Sequence, residues 1–553
     1  MPEFRHIIAG HLESRAETPW LTLVAGQRAT PHTYRQIAER TYDYCAFYRA
    51  AGVAENDTVV IILRESLDLV AAFFAGIVCG ALPAFYFYPS PKQSVDVFLS
   101  SIDTLLLYNE VKLIVSYPEV IGALKDHHRI SVPEFVGFYE TSEVPALGRS
   151  SLDDFPAPLH EAFLQFSSGT TGAKKGVKIS TRALLNQVRA YGEFVHYAPG
   201  DTVVSWLPHY HDMGMIACIL MPFVLGVPVY MMSPFEWVMH PQLLLDWLAR
   251  VAGTHVWLPN FALGHLARSC ADDEPGRYDL SSVKRLVCCS EPVLKATVDE
   301  FAARFSGAGM SPDRFQNCYA MAENTFAMTS TRQGPIRFLA VDQELFRKEH
   351  RVSPSAGGRP VASVGVPLPN IRIEIRSDAG DVLPEDHVGE ILIHSDCMLD
   401  SYHNNWEETQ RAMLDGWFRT GDLGFFHDGE LYVTGRSKEM LIIGGENIYP
   451  QDIESILNGK DYLIPGRNVA FGVENAKTGT ERLVILAEAR AEHLHVDLLP
   501  LRTEIMSALG ISVSRIALLP HRSLLKGTAG KISRYLNKQA YLEGRFDRHS
   551  GKA

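Results

Sequence analysis

The chain has 553 residues, 46% hydrophobic and 21% charged, with a formal net charge of −12. That composition supplies a large buried core and excludes a mostly disordered chain, and the acidic balance argues against a general electrostatic grip on nucleic acid. Eight scattered cysteines without a CxxC pair point away from a stapled secreted fold or a zinc site, and toward a reducing cytoplasm.

Residues 1–17 mix charges with short apolar runs and lack the basic start and apolar stretch of a signal peptide. A strand is expected at 59–63 and a helix at 66–79. Residues 69–88 carry no charge, enough to span a bilayer. Gly76, Gly80 and Pro83 punctuate that run. It therefore reads as a buried helix at 67–79, a turn at 80–83 and a short aromatic strand at 84–88. Residues 215–232 repeat the grammar: an apolar helix, Gly226-Val227-Pro228, then a strand. No transmembrane span is expected. Further on come a strand at 111–115, a helix at 182–194, a strand at 202–206 and a helix at 242–251. This alternation implies an α/β chain whose sheets are mainly parallel and covered by helices.

From Pro360 short strands at 371–375, 390–394 and 430–434 are divided by Gly, Asp and Pro turns, which indicates a β-rich subdomain at about 360–434. A small α+β unit follows, with strands at 440–443, 469–473 and 483–489 and helices at 450–457 and 499–509. The division expected is a large domain at 1–434, a hinge at 435–438 and a small domain at 439–553.

Residues 163–178 read FLQFSSGTTGAKKGVK. An apolar strand enters a run of Ser, Thr and Gly, and lysines follow. Small residues let backbone N–H groups approach phosphate oxygens, hydroxyls add donors, and a lysine adds charge. A Walker loop requires GxxxxGK followed by Ser or Thr, and neither this segment nor Gly527–Lys531 satisfies it.

SSGTTGAKKGV resembles the signature loop of the adenylate-forming superfamily: acyl-CoA synthetases, peptide-synthetase adenylation domains, luciferases and fatty acyl-AMP ligases. The usual proline before the motif lysine is Lys174 here, so Lys175 takes the motif position. The resemblance recurs in order: WLPHYHDMGMI at 206–216, CSEPV at 289–293, NCYAMAENT at 317–325, GWFRTGDLG at 416–424, GRSKE at 435–439, GGENIYPQDIE at 444–454 and KGTAGKISR at 526–534. The family usually has Tyr-Gly where this chain has Tyr319-Ala320.

The resemblance implies ATP-dependent activation of a carboxylic acid as an acyl-AMP. Two anions must meet, so charge neutralisation and positioning dominate the barrier. Ser168, Gly169, Thr170, Thr171, Gly172 and Lys175 are expected to hold the phosphates, with Mg2+ on Glu323 and Thr170. Asn317, Tyr319, Ala320, Ser290, Glu291 and Pro292 are expected around the adenine. Asp422, in a Gly-flanked turn, would accept the ribose hydroxyls, and Arg436 would supply donors to the ribose or phosphate side. Lys531 would be the catalytic lysine of the small domain, and Lys438 the hinge about which that domain rotates between half-reactions. His211 would line or gate the acyl pocket beside Asp212, for which a plain helix cap is the alternative. The aromatic run 85–88 and the apolar stretch 257–266 would line that pocket or belong to the core.

Several segments look more like fatty acyl-AMP ligases, which deliver the acyl group to a carrier-protein phosphopantetheine. These are WLPHYHDMGMI, CSEPV, YPQDIE and the long spacer 333–358. GGENIYP looks more like CoA ligases. The expected acceptor is a separate acyl carrier protein, since no Asp-Ser-Leu-type attachment motif follows Lys531; CoA is the alternative. A fatty acid is the expected substrate. An inactive nucleotide-binding scaffold would have lost Glu323, Asp422 or Lys531, and all three are present.

Overall fold

The computed structural model describes residues 4–89, 95–127, 132, 134–167, 175–271, 273–274, 276–443, 446–475, 480–527 and 531–546. Two compact units emerge. The first comprises Met1–Ile336, Val364–Arg372 and His394–Gly416; the second comprises Arg337–Ser363, Ile373–Ile393 and Trp417–Ala553.

Unit one holds two mixed sheets. In one, strands Pro19–Ala25, Val229–Met232, Val203–Ser205, His255–Leu258, Arg285–Cys289 and Phe315–Ala320 run parallel in that spatial order. Antiparallel neighbours Arg28–Thr33 and Ala327–Ser330 flank them. In the other, Ala162–Ser167, Leu82–Phe85, Thr58–Ile62, Val111–Ser116 and Gly137–Glu140 are parallel. Lys175–Ser180 and Ser401–Tyr402 add antiparallel strands at one end. All five residues of Thr58–Ile62 are buried, as a strand covered on both faces must be.

The first uncharged run does form a helix, Leu67–Val78, capped by Ser66, whose Oγ accepts from the Leu69 N–H at 3.1 Å. The strand after it is Leu82–Phe85, two residues earlier than the aromatic pattern indicates. Pro83 lies within it, opposite Val59. The aromatic residues that follow, Tyr86 to Tyr88, lie beyond the strand: the Tyr86 N–H still donates to the Ile61 carbonyl at 3.0 Å, and all three are buried with their rings packed on one another and on Tyr210.

The second run gives a π-helix, Met213–Leu220, continued by Met221–Leu225 and the strand Val229–Met232. Pro222 has no N–H to donate to Cys218, and its ring would crowd that carbonyl in a regular α-helix, so the wider turn accommodates it. Gly214 is dictated by contact: a Cβ there would lie 2.2 Å from the Pro208 carbonyl oxygen. No helix among the described residues is long and apolar enough to cross a membrane. All eight cysteines are free thiols.

In unit two, strands Gly389–Ser395, Trp417–His427 and Glu430–Arg436 are antiparallel. Phe338–Val341 pairs with Arg359–Pro367. The terminal sheet orders Leu463–Asn475, Thr480–Ala489 and Val513–Leu519; its first strand is longer than the 469–473 expected. Ile453, Leu457, Leu501, Ile505 and Leu509, from two helices, pack with one face of it. Ala540 and Phe546 join the other. The spacer 333–358 contributes the helix Gln343–Glu349. Its Phe346 is buried in a core with Phe425, Tyr432 and Tyr449, with the Tyr449 ring 5.6 Å away.

Candidate active site

In unit one, Ser168, Gly169, Thr170, Thr171 and Gly172 lie outside the described residues. The strands on either side are antiparallel, with Ser167 opposite Lys175. Lys175 forms an ion pair with Glu408, and its ammonium lies 5.0 Å from the Tyr402 ring centroid. The Tyr402 hydroxyl donates to Glu323 Oε1 at 2.9 Å. Tyr402 therefore connects the loop lysine to the carboxylate singled out for the metal. Burial, then the Glu323 charge, push its phenol well above the usual value; it stays protonated and remains a donor.

Glu323 sits on the single 3-10 turn Ala322–Asn324. Thr325 ends that turn at φ +63. Its backbone carbonyl accepts from Gln165 Nε2 at 2.9 Å, and its hydroxyl donates to the Cys397 carbonyl at 2.7 Å. Gln165 belongs to the strand that enters the phosphate loop, so the backbone bearing Glu323 is pinned to the loop's own base. Neither Tyr402 nor Glu408 was identified from sequence. They lie 79 residues from Glu323 and 233 from Lys175, in a segment without a motif.

The adenine candidates gather at the C-terminal ends of two adjacent parallel strands, where open α/β sheets bind ligands. Cys288 is opposite Asn317 and Cys289 opposite Cys318. Ser290 follows at φ +70, a sharp exit from the strand. Asn317 is buried, while Tyr319 and Ala320 are partly exposed beside a bulge. Glu291 is occupied: its Oε2 accepts from the Phe261 N–H at 3.0 Å, at the start of helix Asn260–Ser269. Pro292 follows in the same segment. His211 stands in the strand-to-helix connection with its ring 4.9 Å from that of Tyr210. Asp212 Oδ1 accepts from the Met213 N–H at 2.8 Å, so its capping role is visible. Trp257 and the aromatic residues 85–88 are all nearly fully buried.

In unit two, Asp422 lies inside the strand Trp417–His427 and not in a turn; Gly421 before it carries the positive φ, +71. Register places Asp422 opposite Arg436, whose Nε donates to Asp422 Oδ1 at 3.2 Å. The carboxylate is mostly buried and the guanidinium half exposed. Lys438 is on the 3-10 turn Ser437–Glu439.

The Gly527 N–H donates to the Lys531 carbonyl at 2.8 Å, and Lys526 bridges to Ile532. Asn537, fully buried, fixes the base of this segment: Nδ2 donates to the Leu525 carbonyl at 2.8 Å and Oδ1 accepts from the Leu525 N–H at 2.9 Å. Arg534 forms ion pairs with Glu439, at 3.4 Å, and with Glu454. The GKISR motif thus carries its own anchor, a role not assigned from sequence.

Tyr402→Phe removes the phenol hydrogen bond to Glu323 and keeps the ring under Lys175. Loss of such an orienting partner typically costs 10- to 100-fold in metal affinity or activity. The expected result is a roughly tenfold lower adenylation rate and a raised magnesium requirement, read from pyrophosphate release across a magnesium titration. An unchanged magnesium curve would show that Glu323 needs no such positioning.

The sequence profile of the AMP-binding enzymes matches residues 12–403. The medium-chain-fatty-acid–[acyl-carrier-protein] ligase JamA of Moorena producens is 29% identical over 90% of this chain and 87% of its own. A Mycobacterium tuberculosis protein provisionally named fatty-acid–CoA ligase FadD21 is 30% identical over 90% of this chain and 89% of its own. A fatty acyl-adenylate ligase structure, from work on the E. coli and L. pneumophila enzymes, superposes with a TM-score of 0.89 at 26% identity, covering 99% of this chain and 98% of that one. The L. pneumophila fatty acyl-adenylate ligase in complex with acyl adenylate and pyrophosphate gives 0.74 at 25% identity, covering 98% and 96%. With these likenesses over most of its length, the chain belongs to the AMP-binding enzymes and is an acyl-AMP-forming ligase that uses ATP to activate an acid.

Proposed function

We propose that this ligase activates a fatty acid and transfers the acyl group to the phosphopantetheine thiol of a separate acyl carrier protein. In the first half-reaction a carboxylate oxygen attacks the α-phosphorus of ATP, the bond to the β-phosphate oxygen breaks, and pyrophosphate leaves. In the second, the thiol sulfur attacks the acyl carbon, the thiol proton is lost, and AMP leaves with the oxygen that joined it to the acyl group.

In this reading the loop at 168–172 and Lys175 hold the phosphates. Asn317, Tyr319, Ala320, Ser290, Glu291 and Pro292 surround the adenine, Asp422 accepts the ribose hydroxyls, and Arg436 orients Asp422. Lys531 contacts carboxylate and phosphate oxygens. His211 borders the acyl group. Residues 435–438 form a hinge at Lys438 between domains 1–434 and 439–553.

The residues present fit a magnesium ion of the kind that takes most of its ligands from phosphate and water. The described residues include no cluster of three or more His, Cys, Asp or Glu suited to a metal, and Glu323 offers one oriented carboxylate, with Thr170 as a second ligand. When bound, the ion would neutralise charge on the phosphate oxygens.

The observation that carries the carrier reading is the core of unit two. Phe346, from the spacer helix, packs with Tyr449 at the start of the terminal helix Pro450–Asn458. An inserted segment so anchored would restrain the small domain, which supports a transfer conformation reached with a docked protein partner. JamA, which acts with an acyl-carrier protein, supports the same acceptor. CoA is the second reading, favoured by FadD21's provisional name.

The test is incubation with ATP, magnesium and a panel of acids, adding either CoA or a phosphopantetheinylated carrier protein, with products read by mass spectrometry. Accumulated acyl-AMP, no acyl-CoA and an acylated carrier are expected. Prompt acyl-CoA formation would assign the enzyme to the CoA synthetases.

Asp422→Ala should weaken ATP binding about tenfold, the scale of a charge-assisted hydrogen bond in a partly solvated site. Isothermal titration with ATP measures it, and an unaltered affinity would count against the ribose contact.

A further inference from the structure

The parallel strands that carry the adenine candidates at their C-terminal ends open, at their N-terminal ends, on a cavity of about 480 Å³. Arg285, on its wall, is four strand steps from Cys289, about 13 Å along the chain. The cavity is thus separate from the nucleotide segments, and all its lining residues belong to unit one.

Its wall is basic. Lys284, Arg285 and Arg314 line it, with His196, against one carboxylate, Asp313, which is exposed. Lys284 is already neutralised: its Nζ lies 2.6 Å from Asp201, whose side chain is fully buried. Arg314 Nη1 donates to the carbonyls of Leu280, Ser281 and Val283 at 2.8–3.0 Å, which fixes the guanidinium at the rim.

Arg285 is the anomaly. It is 7% exposed. Its Nη1 donates to the Lys284 carbonyl at 2.8 Å. Its Nε is buried with no hydrogen-bond partner among the described residues, and none of them pairs with it as a carboxylate. Burial pulls it below the usual arginine value, against the opposing pull of Asp201. A buried guanidinium with no direct ion pair and an unpartnered Nε is costly, and a planar fork of donors suits the oxygens of a phosphate group. Small-molecule sites span about 300–1,000 Å³, so the space admits a phosphate with an organic body.

We propose that this cavity is a second anion site, at the N-terminal ends of the strands whose C-terminal ends carry the adenine candidates, which binds a small phosphorylated molecule through Arg285 and Arg314. The phosphate group is the shared chemistry of two sources, free phosphate and an organic phosphate ester.

The experiment is thermal unfolding of the full chain at fixed ionic strength, with inorganic phosphate, ribose 5-phosphate or chloride. Phosphate, but not chloride, should raise the melting temperature of the wild type by about 2 °C or more at concentrations well above the dissociation constant. A larger shift with ribose 5-phosphate identifies an ester as the better fit; equal shifts identify the phosphate group alone. Arg285→Met should melt higher than wild type in chloride, because a buried charge without a direct ion pair is gone, and should lose the phosphate response. Gln333→Glu, at an exposed position on the wall, adds a carboxylate without changing size and should weaken the response at least tenfold in phosphate concentration. It carries the test alone if Arg285→Met does not fold. No phosphate-specific shift in the wild type, or the same shift in wild type and Gln333→Glu, overturns the proposal.

Discussion

Lys531→Ala is expected to slow acyl-AMP formation about 10²- to 10³-fold, the usual cost of removing one preorganised stabiliser of developing charge. That corresponds to about 3–4 kcal/mol of transition-state stabilisation. ATP binding should change little, because the lysine's proposed contacts are to the reacting carboxylate and phosphate oxygens. The loop geometry makes the experiment clean. The Lys531 carbonyl accepts from Gly527, and Asn537 holds the base of the loop through Leu525; none of these contacts uses the lysine side chain. Truncation at Cβ therefore removes the charge and leaves the loop's backbone bonds. Pyrophosphate release at saturating acid and a parallel ATP titration separate the effects. Unchanged adenylation would remove Lys531 from the chemistry. Lys526→Ala, on the opposite side of the bridge to Ile532, is the control and should cost far less.

Arg534→Met is expected to lower the stability of the terminal unit by about 2–4 kcal/mol. Removing one partner of a buried pair costs about 3–5 kcal/mol because the other charge is left uncompensated, and partial exposure of these side chains, 18–28%, lowers that to about 2–4 kcal/mol. Two carboxylates, Glu439 and Glu454, are left behind, together with the Ala470 carbonyl that Arg534 also serves. Glu454 retains one bond, from the Ala470 N–H at 3.0 Å. Methionine keeps most of the aliphatic stem, so the loss reports charge and hydrogen bonding more than volume. Denaturant unfolding measures it. Adenylation should fall as well, because Arg534 opens the helix directly behind the Lys531 loop. Full stability with full activity would show that Asn537 alone anchors the motif.

Much of this fold is legible in the chain because its elements are punctuated locally. Ser66 before the apolar run caps Leu67–Val78, and Gly80 ends the connection with φ +74; both signals are within a few residues of what they control. Register is different. The aromatic residues after Phe85 look like a strand because β-propensity is high there, yet their burial comes from rings on other elements. Asp422 looks like a turn residue between glycines, but its strand partner Arg436, 14 residues on, decides its conformation. The π-helical geometry of Met213–Leu220 depends on where Pro222 falls relative to carbonyls one turn back, which periodicity alone does not reveal.

The sequence by itself determined the reaction class. The glycine-rich run before Lys175, the Asp422 segment and the Lys531 segment are each short stretches that resemble family motifs and occur in the family's order, so they are legible without the fold. Tertiary structure alone decided what holds them. Tyr402 between Lys175 and Glu323, Gln165 beneath Thr325, Phe346 against Tyr449 and the buried Arg285 at the N-terminal end of its strand all join or isolate residues distant in the chain. Such contacts are products of packing, where many side chains of the right size and polarity would serve, so no local pattern announces them before the chain has folded.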